Sequence, residues 1–134
     1  MAQQGSVAYW GDKRVLVTGA SGMVGSWLTR WLAESGAYTV AFIADSDPQS
    51  ELMRSGTMNK VNVVNGRLEN YDDIERAINN HEVDSIFHLG AQPIVGAADR
   101  SPRHTFESNI QGTWNLLDAC RTLSPLVKRI IVAS

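Results

Sequence analysis

Five short runs rich in β-branched residues alternate with stretches of helical periodicity, and that alternation restricts the fold more than any other feature of the chain. The runs are RVLVTG (14–19), YTVAFIA (38–44), KVNVVNG (60–66), VDSIFHLGA (83–91) and VKRIIVAS (127–134). Between the first two, Val24, Leu28, Trp31 and Leu32 recur at helical spacing, and Gly36 supplies the stop. Asp47 and Pro48 stand where the N-cap and first residue of a second helix belong, and Asn70 can cap a third. In that third helix Tyr71, Ile74, Ala77 and Ile78 form one apolar stripe, while Asp72 and Asp73 suit the positive end of the helix dipole. Phe106, Ile110, Thr113, Leu117 and Cys120 mark a long fourth helix, with Trp114 beside the stripe.

Strands separated by helices need crossover connections, which give a parallel sheet covered on both faces. The alternation therefore predicts an α/β fold, a doubly wound parallel sheet of five strands in the order 3-2-1-4-5 that breaks off after strand five. In such a sheet a ligand sits beyond the carboxyl ends of the strands where the order reverses, here between strands 1 and 4. A chain of 134 residues is about one domain, so residues 1–134 are expected to form a single unit with residues 1–10 flexible. The closing run reads as a short buried strand that needs neighbours and a continuation.

Composition excludes several classes of partner. Twelve basic against fourteen acidic side chains leave a net charge of -2, with no basic field for nucleic acid or an anionic membrane. No apolar run approaches the roughly 18 residues that span a bilayer, and the opening MAQQGSVAYWGDK lacks a signal-peptide pattern, so the cytoplasm is expected. A single cysteine, Cys120, cannot form an internal disulfide and reads as a buried apolar residue. His81, His88 and His104 lie on different elements without metal-ligand spacing, and no metal is expected. His88, inside an apolar strand, reads as a core residue with its hydrogen bonds satisfied.

The stretch VTGASGMVGSW carries the chemistry. Gly19, Gly22 and Gly25 follow strand one directly and open a helix, the context that gives a glycine triplet its meaning. Gly19 allows a tight turn, Gly22 lets backbone approach a pyrophosphate, and Gly25 lets the helix pack close to the sheet. Asp45 lies 20 positions after Gly25, where a carboxylate accepts the ribose hydroxyls of NAD. No arginine stands beside it to hold a 2′-phosphate, so NAD is expected, with NADP the alternative.

Three stretches, VLVTGASGMVGSWL, IFHLGAQ and SNIQGTWNLLDAC, resemble the glycine loop, the turn after strand four and the Asn-bearing helix of extended short-chain dehydrogenases/reductases. Within that Rossmann-type superfamily the chain is similar to the NAD-dependent epimerase/dehydratase family, and most of all to its nucleotide-sugar 4,6-dehydratases. The resemblance implies that Gly19, Gly22, Met23, Val24 and Gly25 line the pyrophosphate. It implies that Leu89, Gly90, Ala91 and Gln92 border the cofactor ribose, and that Asn109 lies near the active site in support of it. Where the family carries an acidic residue before leucine after strand three, this chain has Arg67, which leaves Leu68 to meet the adenine through its backbone.

The family's chemistry uses a Ser or Thr just after strand five and a Tyr-x-x-x-Lys further on, with hydride passing from the sugar to NAD. By the family pattern that hydroxyl falls next to Ser134. Tyr9, Tyr38 and Tyr71 all precede strand four, and none stands where the Tyr-Lys pair is expected. The expectation is therefore the NAD-binding part of a nucleotide-sugar 4,6-dehydratase or epimerase, lacking a substrate-binding part and Tyr-x-x-x-Lys, and without turnover alone. Two rival readings differ in class: a free-standing dinucleotide-binding redox sensor, and a remnant that only dimerises. An open edge at strand five favours a homodimer or other self-association under any of them.

Overall fold

The computed structural model describes residues 9–20, 22–43, 61–89, 102–123 and 125–132, with the backbone alone for 102–110. Its elements are β1 (Arg14–Thr18), α1 (Met23–Glu34), β2 (Tyr38–Ile43), β3 (Asn62–Asn65), α2 (Tyr71–Asn80), β4 (Ser85–His88), α3 (Pro102–Thr122) and β5 (Arg129–Val132). The helix expected at Asp47 and Pro48 lies outside the described residues, and β3 is shorter at both ends than its apolar run.

The five strands form one parallel sheet in the order β3-β2-β1-β4-β5, as the alternation predicts. The central strand β1 is buried on both faces because successive side chains point to opposite sides. Leu16, Val40, Phe42 and Ile86 face α2 and α3, where Ile74, Ala77, Ile78, Leu116 and Ala119 complete one core. Val15, Val17, Ala41 and Ile43 face α1, where Leu32 is fully buried and Leu28 and Trp31 close the second. Of the segment expected to be flexible, Trp10 is described and packs edge-on against Trp31, with ring centroids 6.2 Å apart. Its ring also lies 6.1 Å from Phe87 on β4.

The element ends follow local chemistry. Gly36, at φ 92, ends α1: its N–H donates to Ala33 O at 3.1 Å and that of Ala37 donates to Leu32 O at 3.1 Å. At the start of α2, Asn70 Oδ1 accepts from the Asp72 N–H at 3.0 Å, the capping role read from the sequence.

Two expectations need correction. In α3 the buried positions with described side chains are Gly112, Asn115, Leu116 and Ala119, one position round from the apolar stripe, and Leu117 is 47% exposed. The reason is close packing: a Cβ on Gly112 would sit 2.9 Å from Leu68 Cβ, so the helix turns its smallest residue to the neighbouring turn. The closing run forms a strand, but a largely exposed one, since β5 lies at the edge with β4 as its single strand neighbour among the described residues and only Ile130 packs against the core.

Candidate functional site

At the end of β1 the chain leaves the sheet through Gly19, whose φ of 70 is the left-handed conformation that glycine adopts without strain. The Gly22 N–H donates to Gly19 O at 3.1 Å and closes the turn. Gly22 is the N-cap of α1, with φ -74 and ψ 173, and has no side chain to accept from the first turn; no acidic residue occupies that turn either. The helix thus begins with backbone donors and the positive end of its dipole facing outward, an arrangement suited to an anion.

The two remaining glycines serve different purposes. A Cβ on Gly25 would fall 1.9 Å from Gly19 O and 2.8 Å from Gly19 C, so the approach of α1 to the turn itself demands glycine. Among the described residues a Cβ on Gly22 would meet nothing nearer than Gly19 O at 3.5 Å, ordinary contact, and its backbone angles suit any residue. None of the described residues demands glycine at position 22, where the backbone at the start of the helix is bare. Beside it Met23 and Val24 are exposed at 86% and 67%, two apolar side chains presented at the start of the helix.

At the adjoining ends of β1 and β4 runs a chain of hydrogen bonds among buried polar side chains. Thr18 and His88, the last residues of β1 and β4, are register partners and are 0% and 3% exposed. Thr18 Oγ1 accepts from the Leu89 N–H at 2.9 Å and lies 2.8 Å from His88 Nδ1. His88 Nε2 lies 3.1 Å from Thr113 Oγ1 on α3. Among the described residues Nδ1 is the acceptor in reach of the Thr18 hydroxyl proton, which makes Nε2–H the consistent tautomer and Thr113 the acceptor. Burial pushes the imidazole below its ordinary value, so His88 is neutral at neutral pH.

The turn after β3 is fastened to the same helix. Asn115 Nδ2 donates to Leu68 O at 2.9 Å, and Gln111 Nε2 donates to Asn115 Oδ1 at 2.9 Å. Leu68 is where the resemblance places the adenine, and its carbonyl is already engaged by Asn115. Arg67 points away to Glu69, while its N–H donates to Asp73 Oδ2 at 3.0 Å.

Of the residues singled out from the sequence, Gly19, Gly22, Met23, Val24 and Gly25 form one turn, Leu89 follows β4 across the crevice, and Leu68 lies against α3. Asn109 lies in α3, one turn before Thr113. Asp45, Gly90, Ala91, Gln92 and Ser134 lie outside the described residues. Thr18, Thr113, Gly112 and Asn115 gained no site role from the sequence. A polar pair at the adjoining ends of two buried strands was the available signal, because such groups must find partners. Cys120 is half-buried and burial pushes its thiol up to about 11, an inert side chain as expected.

The expected lack of a Tyr-x-x-x-Lys also needs correction, since Tyr9 and Lys13 have that spacing. They precede β1, at the opposite edge of the sheet from the glycine turn and a strand length, about 16 Å, away. Lys13 Nζ there pairs with Asp12 Oδ1 at 2.7 Å and lies 4.6 Å from the Tyr9 ring centroid. Among the described residues no cluster of His, Cys, Asp or Glu could hold a metal, and no helix is long and apolar enough to cross a membrane.

Residues 15–134 match the model of the NAD dependent epimerase/dehydratase family. The CDP-glucose 4,6-dehydratase of Salmonella typhimurium is 28% identical over 127 residues, 94% of this chain and 35% of the relative. The CDP-paratose 2-epimerase of Salmonella typhi is 30% identical over 110 residues, 81% of this chain and 32% of the relative. Among solved structures, a UDP-glucose-4-epimerase from Stenotrophomonas maltophila, with bound NAD and formylated UDP-arabinopyranose, superposes with a TM-score of 0.80. It shares 26% identity, covering 91% of this chain and 37% of its own. The chain spans about a third of the length of the curated relatives it matches. With the glycine turn, the strand order and a family match that runs through nearly every residue, the chain belongs to the NAD dependent epimerase/dehydratase family.

Proposed function

We propose that this chain is the NAD-binding part of a nucleotide-sugar 4,6-dehydratase or epimerase. The observation that carries the reading is the contrast between the two glycines of the turn. Gly25 is required by the packing of α1, whereas among the described residues nothing demands glycine at position 22, which stands at a helix start with no capping side chain of its own. A pyrophosphate approaching that backbone accounts for the second glycine. In this reading Gly19, Gly22, Met23, Val24 and Gly25 hold the pyrophosphate and Asp45 accepts from the ribose. Leu68 borders the adenine, and Leu89, Gly90, Ala91, Gln92 and Asn109 border the nicotinamide half.

When bound, the dinucleotide takes up hydride from the sugar. The residues of this chain bind and orient it: the open turn admits the phosphates, the neutral floor at His88 keeps an unpaired charge from beneath the crevice, and Met23 and Val24 shield it from water. The Tyr9 and Lys13 pair sits at the wrong edge of the sheet to protonate anything there, so the chain alone has no turnover. We place it in the cytoplasm, and we assign its exposed Trp114, Leu117, Ile131 and Val132 to a contact with a second copy.

Calorimetric titration of the purified chain with NAD tests the reading. Saturable binding is expected with Kd on the order of micromolar, and Gly22→Val is expected to abolish it while the circular dichroism spectrum and melting temperature are retained. A folded wild-type chain that releases no heat with NAD overturns the assignment.

A further inference from the structure

We propose that His88 is a positioning residue: by holding Thr18 at one ring nitrogen and Thr113 at the other, it transmits the placement of α3 to the glycine turn and to the turn after β4. The consequence for dinucleotide affinity rests on the NAD reading above; the mechanical coupling does not.

Three observations support the role. The backbone ladder already pairs β1 with β4 as far as Thr18 and His88, so the side-chain bonds are not needed for strand register. Their effect falls just past the ladder, where Thr18 Oγ1 accepts from the Leu89 N–H at 2.9 Å and Gly19 begins its turn. Second, α3 otherwise meets the sheet through apolar Leu116 and Ala119. Apolar contact is non-directional and permits small axial shifts, whereas a hydrogen bond from His88 Nε2 to Thr113 Oγ1 at 3.1 Å fixes the helix along its axis. Third, an imidazole only 3% exposed carries a desolvation cost that an aliphatic residue in β4 would avoid. Fold stability alone gives no reason for it.

Among the described residues the coupling reaches the glycine turn, Leu89 and the turn after β3. Thr113 adjoins Gly112, which packs on Leu68, and lies two positions before Asn115, which holds the Leu68 carbonyl. Asn109 is one turn earlier in the same helix. A shift of α3 relative to His88 therefore moves the glycine turn, Leu89 and the β3 turn relative to one another.

Thr113→Val removes the hydroxyl at constant shape, and amide hydrogen exchange is then followed in the ligand-free chain. We expect the Leu89 amide to exchange about tenfold faster, the worth of one such bond, while protection in β2 is unchanged. NAD affinity falls about tenfold in parallel, and Thr113→Ser restores both. His88→Asn, which keeps a polar atom towards Thr18 but none towards Thr113, is the second variant. It should speed Leu89 exchange and lose affinity as Thr113→Val does, and it decides the matter where the valine variant does not fold. Unchanged Leu89 exchange in folded Thr113→Val overturns the proposal, as does wild-type NAD affinity in both variants. A wild-type chain that binds no NAD but shows the exchange response leaves the coupling standing and removes the NAD reading alone.

Discussion

Gly25 and Gly22 differ by three positions and by what replacing each would do. At Gly25 an added methyl would sit 1.9 Å from a backbone carbonyl oxygen, and neither the turn nor α1 can yield without separating helix from sheet. Gly25→Ala is expected to lower unfolding stability by about 3 kcal/mol in urea denaturation, and Gly22→Ala by less than about 1 kcal/mol. Equal losses would show that the turn is not packed as described. His88 supplies a pH dependence. Its folded-state value is held below the ordinary 6.5 by burial, so as pH falls through that value the unfolded chain takes up the proton first. The stability contributed by the neutral ring is therefore complete above the ordinary value and is lost progressively as pH falls from there towards the depressed native value. Urea midpoints measured between about pH 7.5 and 5 should fall more steeply for wild type than for His88→Asn; parallel curves would show that burial does not hold the ring neutral. The triplet of glycines was legible from spacing alone. Which of the three the fold requires was not, because that depends on the distance between two elements.

Among the elements, α3 departs most from its sequence pattern. Its apolar stripe through Thr113, Leu117 and Cys120 predicted the buried face, yet the helix turns Gly112, Asn115, Leu116 and Ala119 inward. A side-chain amide won over a leucine at the core because Leu68 O needed a donor and the Gly112 surface allowed the backbones to approach. Asn115→Ala leaves that carbonyl without its donor. The expected result is a loss of about 2 kcal/mol in global stability, with faster amide exchange in the turn between β3 and α2. Unchanged exchange in that turn would mean that the Asn115 bond does not hold it. The elements read correctly, α1 and α2 above all, are those whose ends are set locally, by Gly36 and by Asn70. Capping is a property of neighbours in sequence, so it can be read without knowing the fold.

For the whole molecule, the same architecture that makes a crevice also leaves surface uncovered. α3 presents Trp114, 69% exposed, and Leu117 outward, and β5 leaves Ile131 and Val132 about half exposed. Apolar surface of this kind drives association in water. If the proposed contact between copies forms, sedimentation equilibrium should give a mass above that of the single chain, and Trp114→Glu with Leu117→Glu should return it to the monomer. A wild-type chain that stays monomeric at concentrations of about 100 μM would remove the self-association proposal while leaving the crevice untouched.

The sequence by itself determined the class of the fold, the order of its strands and the glycine turn that joins β1 to α1. These follow from periodicity and from glycine spacing, which act between residues close along the chain. Tertiary structure alone decided that Gly22 is free while Gly25 is not, that Asn115 rather than Leu117 faces the core, and that His88 joins Thr18 to Thr113. Each of these depends on contacts between residues far apart in sequence, where packing distance and the need of every buried polar group for a partner override local pattern.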